Sequence, residues 1–230
     1  DGVGDSDDME VEVPDYRGTA DFADVGFWNI EHFNRGVDND RIKAVADVCS
    51  RLSMDVMGLT EVQDGAMKRL VAELRRRGDE MGYALLDVSG GQDIAVLYDK
   101  DTTTVSLADD ILDANTTKLG AKTRTGKSAF PRLPLFARCE VKDDDDVSVK
   151  FMIVVVHLKA YVDDASSRAR RALAAKILAE IIHDIREEEE IPVILGGDFN
   201  ELLTNDILAP FKDTADLFAM TADDAVSGAA

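Results

Sequence analysis

Ile191-Pro192-Val193-Ile194-Leu195-Gly196-Gly197-Asp198-Phe199-Asn200-Glu201 decides how this chain is read. The short β-branched apolar run reads as a buried strand. The glycine pair reads as its exit, where the backbone turns sharply and comes close to another segment. Asp198 and Asn200 lie two residues apart, so on an extended backbone they aim at one spot. A carboxylate there can accept a proton or hold a cation, and a carboxamide can donate to an oxyanion. An Asp/Asn turn that caps a following helix fits the same residues. Alone, the stretch leaves both readings open.

Upstream, strands and helices alternate. Strands are expected over 25–30, 55–60, 84–88, 94–98, 103–107, 133–141 and 147–156, and helices over 38–52, 65–77 and 164–186. A short helix is expected near Asn205, with Thr204 or Asn205 as its cap. Many adjacent strands between flanking helices predict an α/β sandwich rather than a doubly wound parallel sheet.

Several of these strands end in polar groups where apolar ones would serve. Asn29 lies in the first, with Glu31 following on the same side. The second runs into Glu61, the strand ending at Val156 runs into His157, and the last leads to Asp198 and Asn200. Each has a bland explanation: a satisfied buried amide, a helix-start acid near the dipole, a core histidine. Six together are hard to explain by burial alone, because each costs free energy unless partnered. Carboxylates, amides and one imidazole at strand ends make a hard-oxygen site suited to Mg²⁺, Mn²⁺ or Ca²⁺.

The chain has 230 residues, 45% of them hydrophobic, and carries a net charge of −20. That length allows one large domain with a sizeable core. Residues 1–21 are acid-rich with little to bury and read as a disordered tail or linker, leaving 22–230 as the folded domain. The chain starts at Asp1 with neither an initiator Met nor a signal-type segment, as in a processed or excised piece. No apolar run reaches the roughly 20 residues that span a bilayer. Two cysteines, Cys49 and Cys139, exclude a disulfide scaffold and a four-cysteine zinc site. The acidity repels nucleic acid in general, yet local cations can offset it.

The blocks Phe27-Trp28-Asn29-Ile30-Glu31, Gly58-Leu59-Thr60-Glu61-Val62-Gln63, Asp93-Ile94-Ala95-Val96-Leu97-Tyr98, Val156-His157-Leu158-Lys159 and Gly196-Gly197-Asp198-Phe199-Asn200 resemble the ordered motifs of the endonuclease/exonuclease/phosphatase superfamily. The resemblance covers about 24–220, and its histidine block is similar to the deoxyribonuclease-I-like branch. It implies a four-layer α/β sandwich, two packed mixed sheets flanked by helices, and metal-dependent hydrolysis of a phosphate ester. Under it, Glu61 would be the main metal ligand, with Asn29 beside it and Glu31 as a further acid. His157 would contact the scissile phosphate, Asp198 would orient or activate water, and Asn200 would hold phosphate oxygens. Asp93 would fix the tautomer of His157. The cofactor implied is Mg²⁺ (or Mn²⁺ or Ca²⁺), the substrate nucleic acid, above all DNA. The expected setting is a secreted or cell-surface monomer. A sphingomyelinase-like phosphoesterase acting on a lipid or inositol phosphate and a degenerate non-catalytic binding domain are the alternatives. The superfamily pattern ends in a strand bearing an Asp-His pair. No histidine follows Asn200, so the domain is expected to lack its last strand through truncation.

Between Asp113 and Glu140 there is no acid, while Lys118, Lys122, Arg124, Lys127, Arg132 and Arg138 all fall there. Residues 116–129 are expected to form a mobile loop. In it Lys122, Arg124 and Lys127, with Arg132 next to a strand, are candidate phosphate contacts.

Overall fold

A computed structural model describes residues 18–19, 22–88, 91–142, 147–161 and 164–220. The acidic tail before residue 18 and the acidic run 143–146 lie outside the described residues. Strands β1 (Val25–Phe33), β2 (Val56–Val62), β3 (Met81–Leu86) and β4 (Asp93–Asp99) form one sheet in the order β1-β2-β4-β3. Strands β5 (Thr103–Leu107), β6 (Leu135–Lys142), β7 (Ser148–His157) and β8 (Val193–Asp198) form a second sheet, in the order β5-β6-β7-β8. Both are mixed: β1/β2 and β7/β8 are parallel, and the other pairs antiparallel.

Side-chain alternation along the strands builds four layers. On β7, Phe151, Ile153 and Val155 pack toward the other sheet, against Val56, Ile94 and Val96. Their neighbours Met152, Val154 and Val156 face α5 (Ala165–Glu189), meeting Ala174, Leu178 and Ile181. On the first sheet Met57, Leu59 and Leu97 face α1 (Asn39–Leu52) and α2 (Asp64–Arg77), through Ile42, Val45 and Leu70. The expected sandwich is the observed one. Because β7 is covered on both faces, its sequence is a continuous apolar run.

Helix ends follow local chemistry. Asp38 caps α1 by accepting from Arg41 N–H at 2.7 Å, and Gly78 ends α2 in the left-handed conformation. Asn205 caps a short 3₁₀ turn at Asp206–Leu208 that leads into α6 (Ala209–Asp213). The short helix α3 (Asp109–Ala114) follows β5, and α4 (Thr116–Leu119) opens the segment expected as a loop. Cys49 and Cys139 are free and buried in different layers. Burial pushes each thiol up to about 12.

Strand β8 differs from its expected course. It continues through both glycines to Asp198, so Gly196 and Gly197 are strand residues, not an exit. A Cβ on Gly196 would meet the Phe27 ring, whose packing between the sheets requires the bare backbone. Gly197 has φ +118°, and a Cβ there would strike the Val156 backbone. No strand follows β8 among the described residues.

Candidate active site at the open end of the inter-sheet core

Strand parity carries the site. Phe27 on β1, Val155 on β7 and Ile194 on β8 point between the sheets. Two or four residues on, the same faces present Asn29, His157 and Asp198, where apolar packing stops. The Asn29 amide Nδ2 donates to Asp198 Oδ2 at 2.8 Å and to Glu61 Oε1 at 3.2 Å. His157 Nε2 lies 3.7 Å from each of the same two oxygens. Two carboxylates from different sheets thus share one amide nitrogen and one imidazole nitrogen.

Glu61 departs from regular strand geometry. Its φ is +61°, and the β2/β4 register shifts between Thr60 and Val62. Facing it, β1 is irregular between Asn29 and Phe33, with Glu31 and His32 at φ +47° and +53°. Asn200 has φ +50°. Among the described residues, four of the eight non-glycine residues with positive φ therefore surround this one site, and such strain persists where neighbours over-determine it. Arg41 of α1 is one such neighbour, donating from Nη2 to the carbonyls of Ile30 and Glu31.

Burial acts to raise the Glu61 carboxyl. Hydrogen bonds from Asn29, the His32 N–H and Gln92, with His157 nearby, outweigh it and hold the group below the usual carboxylate range. For His157, burial and then the Arg132 charge push the imidazole below the ordinary histidine value, against the pull of Asp198 and Glu61. A neutral His157 leaves the two carboxylates short of positive charge.

That deficit fits a divalent cation. Among the described residues no three His, Cys, Asp or Glu side chains form a closed metal cage. Mg²⁺ needs none, since one or two carboxylates with water and substrate phosphate complete its shell. Glu61 would supply one, and the Asn29 side-chain oxygen is already used by the Glu31 N–H at 2.9 Å.

Several expected residues sit elsewhere. Asp93 does not orient His157: its position on β4 points toward the α1/α2 layer, and Oδ1 accepts from the Val88 N–H at 3.0 Å. His157 Nδ1 has no hydrogen-bond partner among the described residues. Glu31 does not share a face with Asn29, because the irregular turn of β1 sends it to solvent. His32 takes the place beside Glu61, its N–H 3.2 Å and its Nδ1 3.5 Å from Oε2. Asn200 does not extend alongside Asp198. Its N–H donates to Asp198 Oδ1 at 2.9 Å and its Nδ2 to the Leu158 carbonyl at 3.2 Å, which joins the exits of β8 and β7. Of the basic window, Arg132 reaches the site, within electrostatic range of Glu61 and Asp198. Lys122, Arg124 and Lys127 lie exposed on the turn between Ala121 and Ala129 and make no ion pair among the described residues. Lys118 and Arg138 pair with Asp184 and with Asp110 and Glu189.

His32 and Gln92 carried no signal in the sequence. His32 reaches Glu61 only through the two left-handed residues, and Gln92 precedes β4 and contacts both Glu61 and Arg132.

Two packed mixed sheets with a carboxylate-amide-imidazole cluster at their open end define a hydrolase-type α/β sandwich. The profile of the Endonuclease/Exonuclease/phosphatase family matches residues 26–224, and the chain belongs to that family. Its fold is similar to the human Nocturnin catalytic domain with bound sulfate (16% identity, TM-score 0.54, covering 82% of this chain and 68% of that one). It is similar as well to the mannosyl-6-phosphatase of Bacteroides thetaiotaomicron VPI-5482 (16%, TM-score 0.52, 81% and 68%). A Bacteroides vulgatus endonuclease/exonuclease/phosphatase aligns at 18% identity and TM-score 0.53, over 81% and 69%. The chain thus spans about two thirds of the length of each of these structures. No curated protein matches it significantly.

Proposed function

We propose that the chain is a divalent-metal phosphodiester hydrolase, a deoxyribonuclease-like endonuclease acting as a monomer on nucleic acid in a secreted or cell-surface setting. One observation carries the reading: Glu61 and Asp198, from different sheets, converge on Asn29 Nδ2 and His157 Nε2. A phosphodiester gains charge on its equatorial oxygens during hydrolysis, and fixed donors and cations aimed there lower the barrier. Mg²⁺ held by Glu61 would supply Lewis acidity to a phosphate oxygen.

The chain's own groups do the remaining work. His157, neutral and buried, donates from Nε2 to a phosphate oxygen. Asp198, fixed through Oδ1 by the Asn200 N–H and through Oδ2 by Asn29, accepts the proton of the attacking water. Arg132, steadied by Gln92, adds positive charge at the mouth.

The test is hydrolysis of bis(p-nitrophenyl) phosphate and nicking of supercoiled plasmid with Mg²⁺, with and without EDTA. The reading expects both activities, their loss in EDTA and their return on adding Mg²⁺. Turnover that persists in EDTA contradicts it, as does cleavage of a sugar monophosphate with none of the diester.

A further inference from the structure

In a chain of net charge −20, three cations near the site make no ion pair among the described residues. Arg132 is half-buried and donates to Gln92. Arg170, on the first turns of α5, donates from Nε to the Ser128 carbonyl. The Lys159 ammonium sits 4.3 Å from the centroid of the Tyr161 ring. Elsewhere Lys118, Arg138 and Arg77 each meet a carboxylate. Burial first, then the Arg170 and Arg132 charges, push the Lys159 ammonium below the usual lysine range, so the three share one region. The acid facing Lys159 there is Asp164, whose Oδ2 already accepts from the Ser167 N–H.

The loop bearing Lys159 is built, not incidental. Lys159 follows His157 by two residues. Arg171 Nη1 donates to the carbonyls of Lys159 at 2.8 Å and Tyr161 at 3.3 Å. Tyr161 is held at φ +74°, strained for a non-glycine residue, and the residue is 72% exposed. An exposed aromatic ring beside cations without ion pairs among the described residues offers what one strand of nucleic acid needs: charge for a phosphate and a surface for a base.

We infer that Lys159, Arg170 and Arg132, with Tyr161 as stacking platform, form a subsite for the nucleotide next to the scissile phosphate on a single strand. The inference rests on the proposed hydrolase reading and deepens it from nucleic acid in general to a single strand held beside the scissile phosphate. Lys159 and Arg170 hold the neighbouring phosphate, and the Tyr161 ring covers its base.

Fluorescence anisotropy with a short labelled oligothymidylate, at low salt and in EDTA, reads this binding without catalysis. Lys159→Gln/Arg170→Gln is expected to weaken binding about tenfold or more, and to lower the salt slope by about 0.7 for the one phosphate they hold. Tyr161→Ala is expected to lose about tenfold, with Tyr161→Phe restoring it, since stacking needs only the ring. Lys150→Gln, at the far end of β7, should bind as wild type. The single Lys159→Gln, on a partly exposed side chain, keeps the test valid should the double variant misfold. Variants that bind like wild type overturn the subsite, as does equal competition by a soluble inositol bisphosphate. Normal oligonucleotide binding with no Mg²⁺-dependent turnover defeats the hydrolase reading and leaves the subsite standing.

Discussion

Asp198→Asn is expected to lower kcat on a phosphodiester by about 10³-fold, within the 10²–10⁴ range of a lost proton acceptor. The substitution is nearly isosteric. Its remaining oxygen can still accept the Asn200 N–H, now 2.9 Å from Oδ1. What it loses is the basic oxygen, and its new NH₂ faces the Asn29 Nδ2 donor where an acceptor stood at 2.8 Å. Because β8 is fixed by pairing Gly197 with Val156 and Asp198 with His157, the fold should survive. Steady-state kinetics with Mg²⁺ beside a thermal melt separate the effects. A small loss of kcat with an unchanged melt would remove Asp198 from proton transfer.

Arg171→Met is expected to destabilise the domain by about 3–5 kcal/mol, the cost of removing one partner from a buried ion pair. Arg171 is fully buried, and its Nη2 donates to Glu201 Oε2 at 3.2 Å. Glu201 is itself only 9% exposed and would keep one recorded partner, Asn205 Nδ2 at 3.0 Å. The carbonyls of Lys159 and Tyr161 would lose donors too. Urea denaturation measures the loss, and the melting temperature should fall by roughly 10 °C for a domain of this size. Arg171→Met/Glu201→Leu should recover part of it, because removing both charges removes the stranded carboxylate. A loss below about 1 kcal/mol would show that the pair is solvated rather than buried. Since Arg171 ties the loop after β7 to the residue following Asn200, activity should fall with stability.

Much of this was legible before any coordinates. Period-two alternation and apolar runs locate the strands, and the polar residues that interrupt them mark the end of the inter-sheet core. Thr103–Leu107 matches its expected span. The same rule misplaces residues where the backbone leaves the extended region. Asn29 and Glu31 share a face only without the irregular turn of β1, and Asp198 and Asn200 only without the left-handed Asn200. Asp93 fails for a different reason: parity on β4, readable only once Ile94 and Val96 are known to face the second sheet, turns it to the helices. Arg171 gave no sign of burial because an arginine early in a helix looks solvent-facing. Its partners lie 10, 12 and 30 residues away in sequence.

Glu61 as the carboxylate that holds the metal is the central assignment. Mn²⁺ titration followed by electron paramagnetic resonance tests this without relying on any substrate. Wild type should bind Mn²⁺ saturably, and Glu61→Gln should weaken that binding by at least about tenfold. Asp40→Asn, an exposed acid on α1, should leave it unchanged. Equal Mn²⁺ affinity in wild type and Glu61→Gln would contradict the assignment.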